Sequence, residues 1–297
     1  GQDAPLVAQT LNLLANLYTG REAFSQAEAL YLRAIALWER APGAEDHPLA
    51  RSLHNLAVLY VKQGAFERAE AHLRRALALE EHAPDATPLM LARMLMNLAS
   101  VQLSQGRADQ AEPLLHRALT LVEGERGPEY IDVLYGSLIH LADLHRGRGR
   151  YDLALPLYRR VLSLVTRAYG EQHLYVSRTR KAIADTYRDQ GRYRRAEALY
   201  RRVLANEERN GEQNLHVVTT LHRLALLQLA QHRIGGAVES LTRALTLSER
   251  RLRDEALDLS ESRLEALLRF PRELAQLIYA LPRRYPRDPR VRRLALS

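Results

Sequence analysis

The sequence predicts an all-α solenoid of six stacked helix-turn-helix repeats. Three observations carry this. A small residue returns at a fixed interval, a glycine follows it at a constant distance, and apolar residues sit at helical spacing on both sides of that glycine. The small residues are Ala15, Ala57, Ala99, Ala142, Ala184 and Ala225, separated by 42, 42, 43, 42 and 41 residues. A period of that length is the signature of stacked repeats, in which one unit cannot bury its apolar face without its neighbours.

The second copy shows why each element forms. Leu53, Leu56, Ala57 and Tyr60 fall on one stripe of a helix. Gly64 then ends it, as Gly106, Gly149 and Gly191 do in later copies, because a left-handed residue costs glycine least. Phe66, Ala69, Leu73 and Ala76 make the matching stripe of a second helix. The alanines let the two backbones approach, and Phe24, Phe66, Tyr151 and Tyr193 fill the space beside them. Some copies depart from the pattern. Glu22 and His232 replace the glycine, Ala108 and Ile234 replace the aromatic, and Gln102, His145 and Gln228 stand where Tyr18, Tyr60 and Tyr187 do. The six repeats are expected at about 5–47, 48–89, 90–132, 133–174, 175–215 and 216–247. Beyond Leu247 the period fails, and 248–297 reads as a C-terminal helical cap and a basic Pro/Arg-rich linker broken by Pro282, Pro286 and Pro289.

Composition narrows the function. The 297 residues are 46% hydrophobic and 26% charged, with no cysteine, which excludes disulfides, thiolate metal sites and a cysteine nucleophile. No apolar run approaches the ~20 residues that a bilayer crossing requires. The eleven histidines are scattered without a His-Glu-x-x-His pair. Gly147-Arg148-Gly149-Arg150 lacks the Lys-Ser/Thr end of a phosphate loop, and there is no Gly-x-Ser-x-Gly elbow. His140 and His145 are expected to divide between the binding face and the core. The expectation is a non-catalytic, cytoplasmic chain with no metal and no cofactor. It opens on Gly1, as a trimmed or processed chain would. Of the net charge of +8, the segment Pro282 to Ser297 carries +5 and the other 281 residues only +3.

Three stretches align closely: LHNLAVLYVKQGAFERAEAHLRRALAL from Leu53, IHLADLHRGRGRYDLALPLYRRVLSL from Ile139 and IADTYRDQGRYRRAEALYRRVLA from Ile183. Their order of small residue, glycine, aromatic and alanine resembles the tetratricopeptide repeat (TPR). The longer period resembles the kinesin-light-chain-type variant common in bacterial proteins, whose Gly-x-x-His-Pro-like loop is echoed by Glu45-Asp46-His47-Pro48, Thr87-Pro88 and Gly170-Glu171-Gln172-His173. The resemblance implies a right-handed superhelix with C-terminal capping helices and a concave groove lined by the first helix of each repeat. The run ALDLSESRLEALLRF from Ala256, followed by PRDPRVRRLALS, resembles the segment that joins the repeats to the caspase-like CHAT protease domain in bacterial TPR–CHAT proteins. That resemblance implies a regulatory arm whose chain continues into a protease.

Residues at −6, −3, −2, +1, +4 and +5 from each marker alanine share the face that would line such a groove. Its charged members are Arg51, Lys62, Arg93, Arg146, Arg178, Lys181, Arg188 and Arg223 against Asp143, Asp185 and Asp189, a net +5. Everything else in the body then sums to −2. Asn12, Asn16, Asn55, Asn97, His54, His140 and His222 add neutral donors and acceptors that suit a peptide backbone. Val58, Met96 and Leu226 supply apolar area. Asn16, Asn55 and Arg93 partly match the family's carboxylate clamp, whereas Asn12 and Asn97 stand where that clamp has basic residues, so a clamp is not expected. Asp143 with Arg146 and Asp185 with Arg188 are spaced to neutralise each other. The expected partner is a protein, as an acidic peptide or helix. Two alternatives are a nucleic-acid-binding solenoid, disfavoured because no aromatics interleave with the arginines, and the sensor array of a signalling ATPase.

Overall fold

The computed structural model describes residues 4–40, 46–125, 127–209, 215–255, 276, 278–286 and 288–296. The described residues contain helices and no strand, and they divide into two compact units, Gly1–Arg150 and Tyr151–Ser297.

The first unit holds α1 (Ala4–Gly20), α2 (Phe24–Arg40), α3 (Asp46–Lys62), α4 (Phe66–His82), α5 (Pro88–Ser104), α6 (Ala108–Val122) and α7 (Pro128–Gly147). Each helix packs on the next in sequence, and α1, α3, α5 and α7 also pack in series, as stacked hairpins require. Start signals are local: Pro88 opens α5 while the Thr87 hydroxyl accepts a hydrogen bond from the Met90 amide. The marker alanines Ala15, Ala57, Ala99 and Ala142 have no exposed surface. Around them lie Tyr31, Leu53, Leu56, Leu73, Met94 and Leu115, all nearly or wholly buried. On α1, Leu6, Leu13 and Leu17 are exposed.

The second unit holds α8 (Tyr151–Tyr169), α9 (Leu174–Asp189), α10 (Tyr193–Arg209), α11 (Leu215–Ala230) and α12 (Ile234–Glu255). Residues 278–284 are helical, as is Pro289–Leu296. Ile278, Leu281, Val291 and Leu294 are buried in one cluster with Val217, Leu221, Leu241 and Leu247 of the last hairpin. Pro289 is tolerated because it opens its helix, where no amide donor is needed. The CHAT-like run from Ala256 to Phe270 lies outside the described residues.

One turn is repeated six times. In the second hairpin Gly64 has φ +74°, the Ala65 amide donates to the Tyr60 carbonyl at 2.9 Å, and the Gly64 amide donates to Val61 at 3.1 Å. These are the paired bonds of a Schellman helix end. The same pair joins Arg107 to Gln102 and Gly106 to Leu103, Arg150 to His145 and Gly149 to Arg146, and Arg192 to Tyr187 and Gly191 to Arg188. The two copies without glycine keep it too. Glu22 (φ +59°) and His232 (φ +58°) are forced into the left-handed region, at a cost of about 1 kcal/mol each. The fold-class expectation, all-α helix-turn-helix repeats, is what the chain adopts.

Candidate protein-binding face

In the first unit the face is built by α1, α3, α5 and α7. The side chain three residues before one marker alanine meets the side chain two residues before the next marker. Asn55 Nδ2 donates to Asn12 Oδ1 at 3.4 Å, and Asn97 Nδ2 lies 2.8 Å from His54 Nε2. Burial, then repulsion from Arg93 against the opposing hydrogen bond of Asn55, pushes His54 down to about 4, so its ring is neutral at pH 7 and accepts at Nε2. The third step of the series places Met96 before His140. Gly136 makes room for Met96, since a Cβ there would collide with its sulfur. Burial holds His140 below the usual histidine range, and the core-facing His145 is shifted the same way by burial. Asn16 Oδ1 is occupied by the Tyr31 hydroxyl at 2.6 Å, which ties α1 to α2.

The cations of this unit fall into two sets. Arg146 lies 3.7 Å from Asp143, the intrahelical pair expected from the spacing. Arg51, Lys62 and Arg93 have no ion pair among the described residues. Arg51 and Arg93 are half-buried, and Lys62 is exposed. The net positive charge of the face in this unit therefore resides on groups that no carboxylate among the described residues neutralises.

The second unit differs. Lys181 is 7% exposed, and its Nζ donates to Glu207 Oε1 of α10 at 2.9 Å. The Thr220 hydroxyl donates to the other oxygen of Glu207 at 2.7 Å. Burial lowers the Lys181 pKa against the opposing pull of Glu207. Asp185, itself buried, accepts from the Tyr200 hydroxyl and from Arg223, with Arg188 Nη1 at 3.5 Å. Arg188 also donates to Asp189 at 2.9 Å. Burial and the Asp185 charge raise the Tyr200 pKa, so the phenol stays protonated and donates. Arg178 is exposed and has no ion pair among the described residues. His222 is half-buried on α11. Lys181 is therefore internal, and the part-exposed Arg188 and Arg223 are paired with Asp185 and Asp189 rather than left as free surface cations.

Counting only first-helix residues missed the partners that α10 supplies, chiefly Glu207 and Tyr200. A signal existed for Glu207, which occupies the register of the buried Val122 and Val165 four residues after Ala118 and Val161. Among the described residues no group of three His, Asp or Glu side chains could hold a metal, and no helix is long and apolar enough to cross a membrane.

The sequence profile of the tetratricopeptide repeat matches residues 6–81 and 133–209, and a second profile of the same description matches 54–128. A comparison with curated proteins finds no match. Among solved structures, BtubC (BKLC) from P. vanneervenii superposes with a TM-score of 0.63 at 20% identity, covering 80% of this chain and 94% of that one. Kinesin-light-chain TPR-like repeats of Podosopora anserina superpose at 0.56 with 18% identity, covering 70% and 98%. A STAND signal-transduction ATPase with a tetratricopeptide repeat sensor from Pyrococcus horikoshii superposes at 0.63 with 13% identity, covering 96% of this chain and 42% of that one. At these identities the structures are alike in fold alone. Repeats of this type commonly serve as non-catalytic scaffolds that bind protein partners. By its sequence profile and its six repeated helix ends, the chain belongs to the tetratricopeptide-repeat family.

Proposed function

We propose that this chain is a non-catalytic interaction module that takes an acidic peptide or helix on the first-helix face of its first unit. The observation that carries this is the free set Arg51, Lys62 and Arg93, which no carboxylate among the described residues neutralises. Arg51 and Lys62 are eleven residues apart on α3, which is about 16 Å along the helix. Arg93 stands at the position of Arg51 one repeat on. A ligand with carboxylates spread over several turns would meet all three. Guanidinium groups hold carboxylates through paired hydrogen bonds and steer them at long range. The Asn12–Asn55 and His54–Asn97 pairs hold neutral polar groups beside the cations without competing charge.

The test is fluorescence anisotropy with a labelled oligoglutamate peptide. Replacing Arg51 and Arg93 together by Glu should weaken binding at least about tenfold, roughly 1.4 kcal/mol, with helicity unchanged. Unchanged affinity would discard the reading. A single-stranded RNA that binds tighter than the peptide, with affinity falling steeply in salt, would favour the nucleic-acid alternative.

The finer reading is that this module is the regulatory arm of a CHAT caspase-like protease, supported by the resemblance of the run from Ala256. The intact mass of the native gene product tests it. A chain that ends near Ser297 would make the module free-standing and retire the protease connection. A chain continuing into nucleotide-binding motifs would favour the ATPase sensor.

A further inference from the structure

Two residues of the fifth repeat break the leucine pattern in the same place. Four residues before the marker alanine the other first helices carry Leu11, Leu53, Leu95, Leu138 and Leu221, but α9 carries Arg180. On the second helices the equivalent layer is Leu37, Leu79, Leu121, Leu164 and Leu247, but α10 carries Asn206. Both polar residues are buried, at 5% and 4% exposure. Placing a guanidinium and an amide in a leucine layer costs desolvation that the fold itself does not require.

These residues line a pocket of about 330 Å³ in the second unit, together with Glu171, Gln172, Arg202 and Arg209. A third departure concerns Arg202. Arginines at its register, Arg75, Arg117 and Arg243, each bind a glutamate of the preceding hairpin, at 2.6, 2.6 and 2.8 Å. The residue corresponding to those glutamates is here Thr166. Arg202 is instead 3.5 Å from Glu171, the carboxylate that also holds Arg180. Asn206 donates to Ser177 Oγ at 3.2 Å, which ties α10 to α9 beside the pocket. Arg180 and Arg202 thus share one carboxylate that is more than half exposed, and Arg209 adds a third guanidinium to the lining. The local charge is +2 in an opening at the small end of the range for small-molecule sites.

We propose that this pocket binds a doubly charged oxyanion of the phosphate class, as free phosphate or as the phosphoryl group of a small metabolite. The planar forks of Arg180, Arg202 and Arg209 match tetrahedral oxygens in paired hydrogen bonds. Glu171 swings outward as the anion takes its place on Arg180. The pocket is independent of the acidic-peptide face, which lies on the first unit.

The experiment is calorimetric titration of the whole chain with inorganic phosphate, with a hexose phosphate and with succinate. Its control is the variant R180L/N206L, which restores the leucine layer and should fold with an equal or higher melting temperature. Phosphate is expected to bind with Kd below about 1 mM and to raise the melting temperature of the native chain but not of the variant. Tighter binding of hexose phosphate than of phosphate would assign a metabolite, and equal binding the free ion. Should the double variant fail to fold, R202Q, on an exposed side chain, should still weaken phosphate about tenfold. Silence toward phosphate, preference for succinate, or binding that survives R202Q or R180L/N206L would overturn the proposal.

Discussion

The buried pair Lys181–Glu207 offers the sharpest test of how the second unit disposes of its charge. Replacing Glu207 by Leu leaves the Lys181 ammonium buried, with the Thr220 hydroxyl also losing its acceptor. Removing one partner of such a pair costs about 3–5 kcal/mol. The lysine can limit the loss by releasing its proton, and that sets a ceiling. Neutralising an amine whose unperturbed pKa is about 10.5 costs close to 5 kcal/mol at pH 7 and about 2 kcal/mol at pH 9. Glu207→Leu should therefore destabilise by about 3–5 kcal/mol at pH 7 and by about 2 kcal/mol at pH 9. Adding Lys181→Met should restore stability to within about 1 kcal/mol of the native chain, because two apolar side chains then fill the same volume. Urea unfolding followed by far-ultraviolet circular dichroism measures all four members of the cycle. A single-variant loss under about 1 kcal/mol, or a double variant as unstable as E207L, would show that Lys181 reaches water and belongs to the open face after all.

Two further outcomes follow from single side chains. His232→Gly should stabilise the chain by about 1 kcal/mol, because the left-handed φ at this helix end strains any residue with a Cβ; urea midpoints that do not rise would show that the imidazole compensates. His54 is held down to about 4 in the folded chain against 6.5 unfolded, so the unfolded chain binds its proton first as pH falls. Its contribution is complete above about pH 6.5 and is lost on acidification, by about 2 kcal/mol between pH 7.5 and pH 5. In His54→Gln that part of the acid sensitivity should vanish, and a pH dependence identical to the native chain would place the imidazole in water.

Much of the fold is legible in one dimension. A marker alanine every 41–43 residues and a left-handed turn seven residues later are local demands, so the period shows them directly. Even the two copies that lack glycine keep the turn. Six or more residues of apolar stripe on each side decide where a helix must end, and this outweighs about 1 kcal/mol of strain at Glu22 or His232. The burial of the C-terminal segment is not legible, for the converse reason. Proline restricts the backbone but says nothing about burial, and Val291 and Leu294 find an apolar surface on the last hairpin.

The binding face is legible only in part. Helical geometry determines which residues share the first-helix surface, and the sequence therefore identifies Arg51, Lys62, Arg93, Arg146, Arg178, Lys181, Arg188 and Arg223 as members of one face. Arg188 finds its carboxylates on its own helix, but whether Lys181 and Arg223 face a ligand or an internal carboxylate depends on residues from another helix, brought near by the stacking of hairpins. Lys181 meets Glu207 twenty-six positions away, and Arg223 meets Asp185 at thirty-eight. The same holds for the pocket. Arg180 and Asn206 are each visible as a missing leucine, but only packing of α9 on α10 sets both polar groups against the guanidinium groups of Arg202 and Arg209. The sequence by itself determined the repeat, its turns and the register of every side chain, because these depend on local periodicity. Intrahelical pairs such as Asp143 with Arg146 are legible in the spacing, but tertiary structure decided which of the remaining charges are free, because neutralisation between helices acts through space and takes no account of the chain between partners.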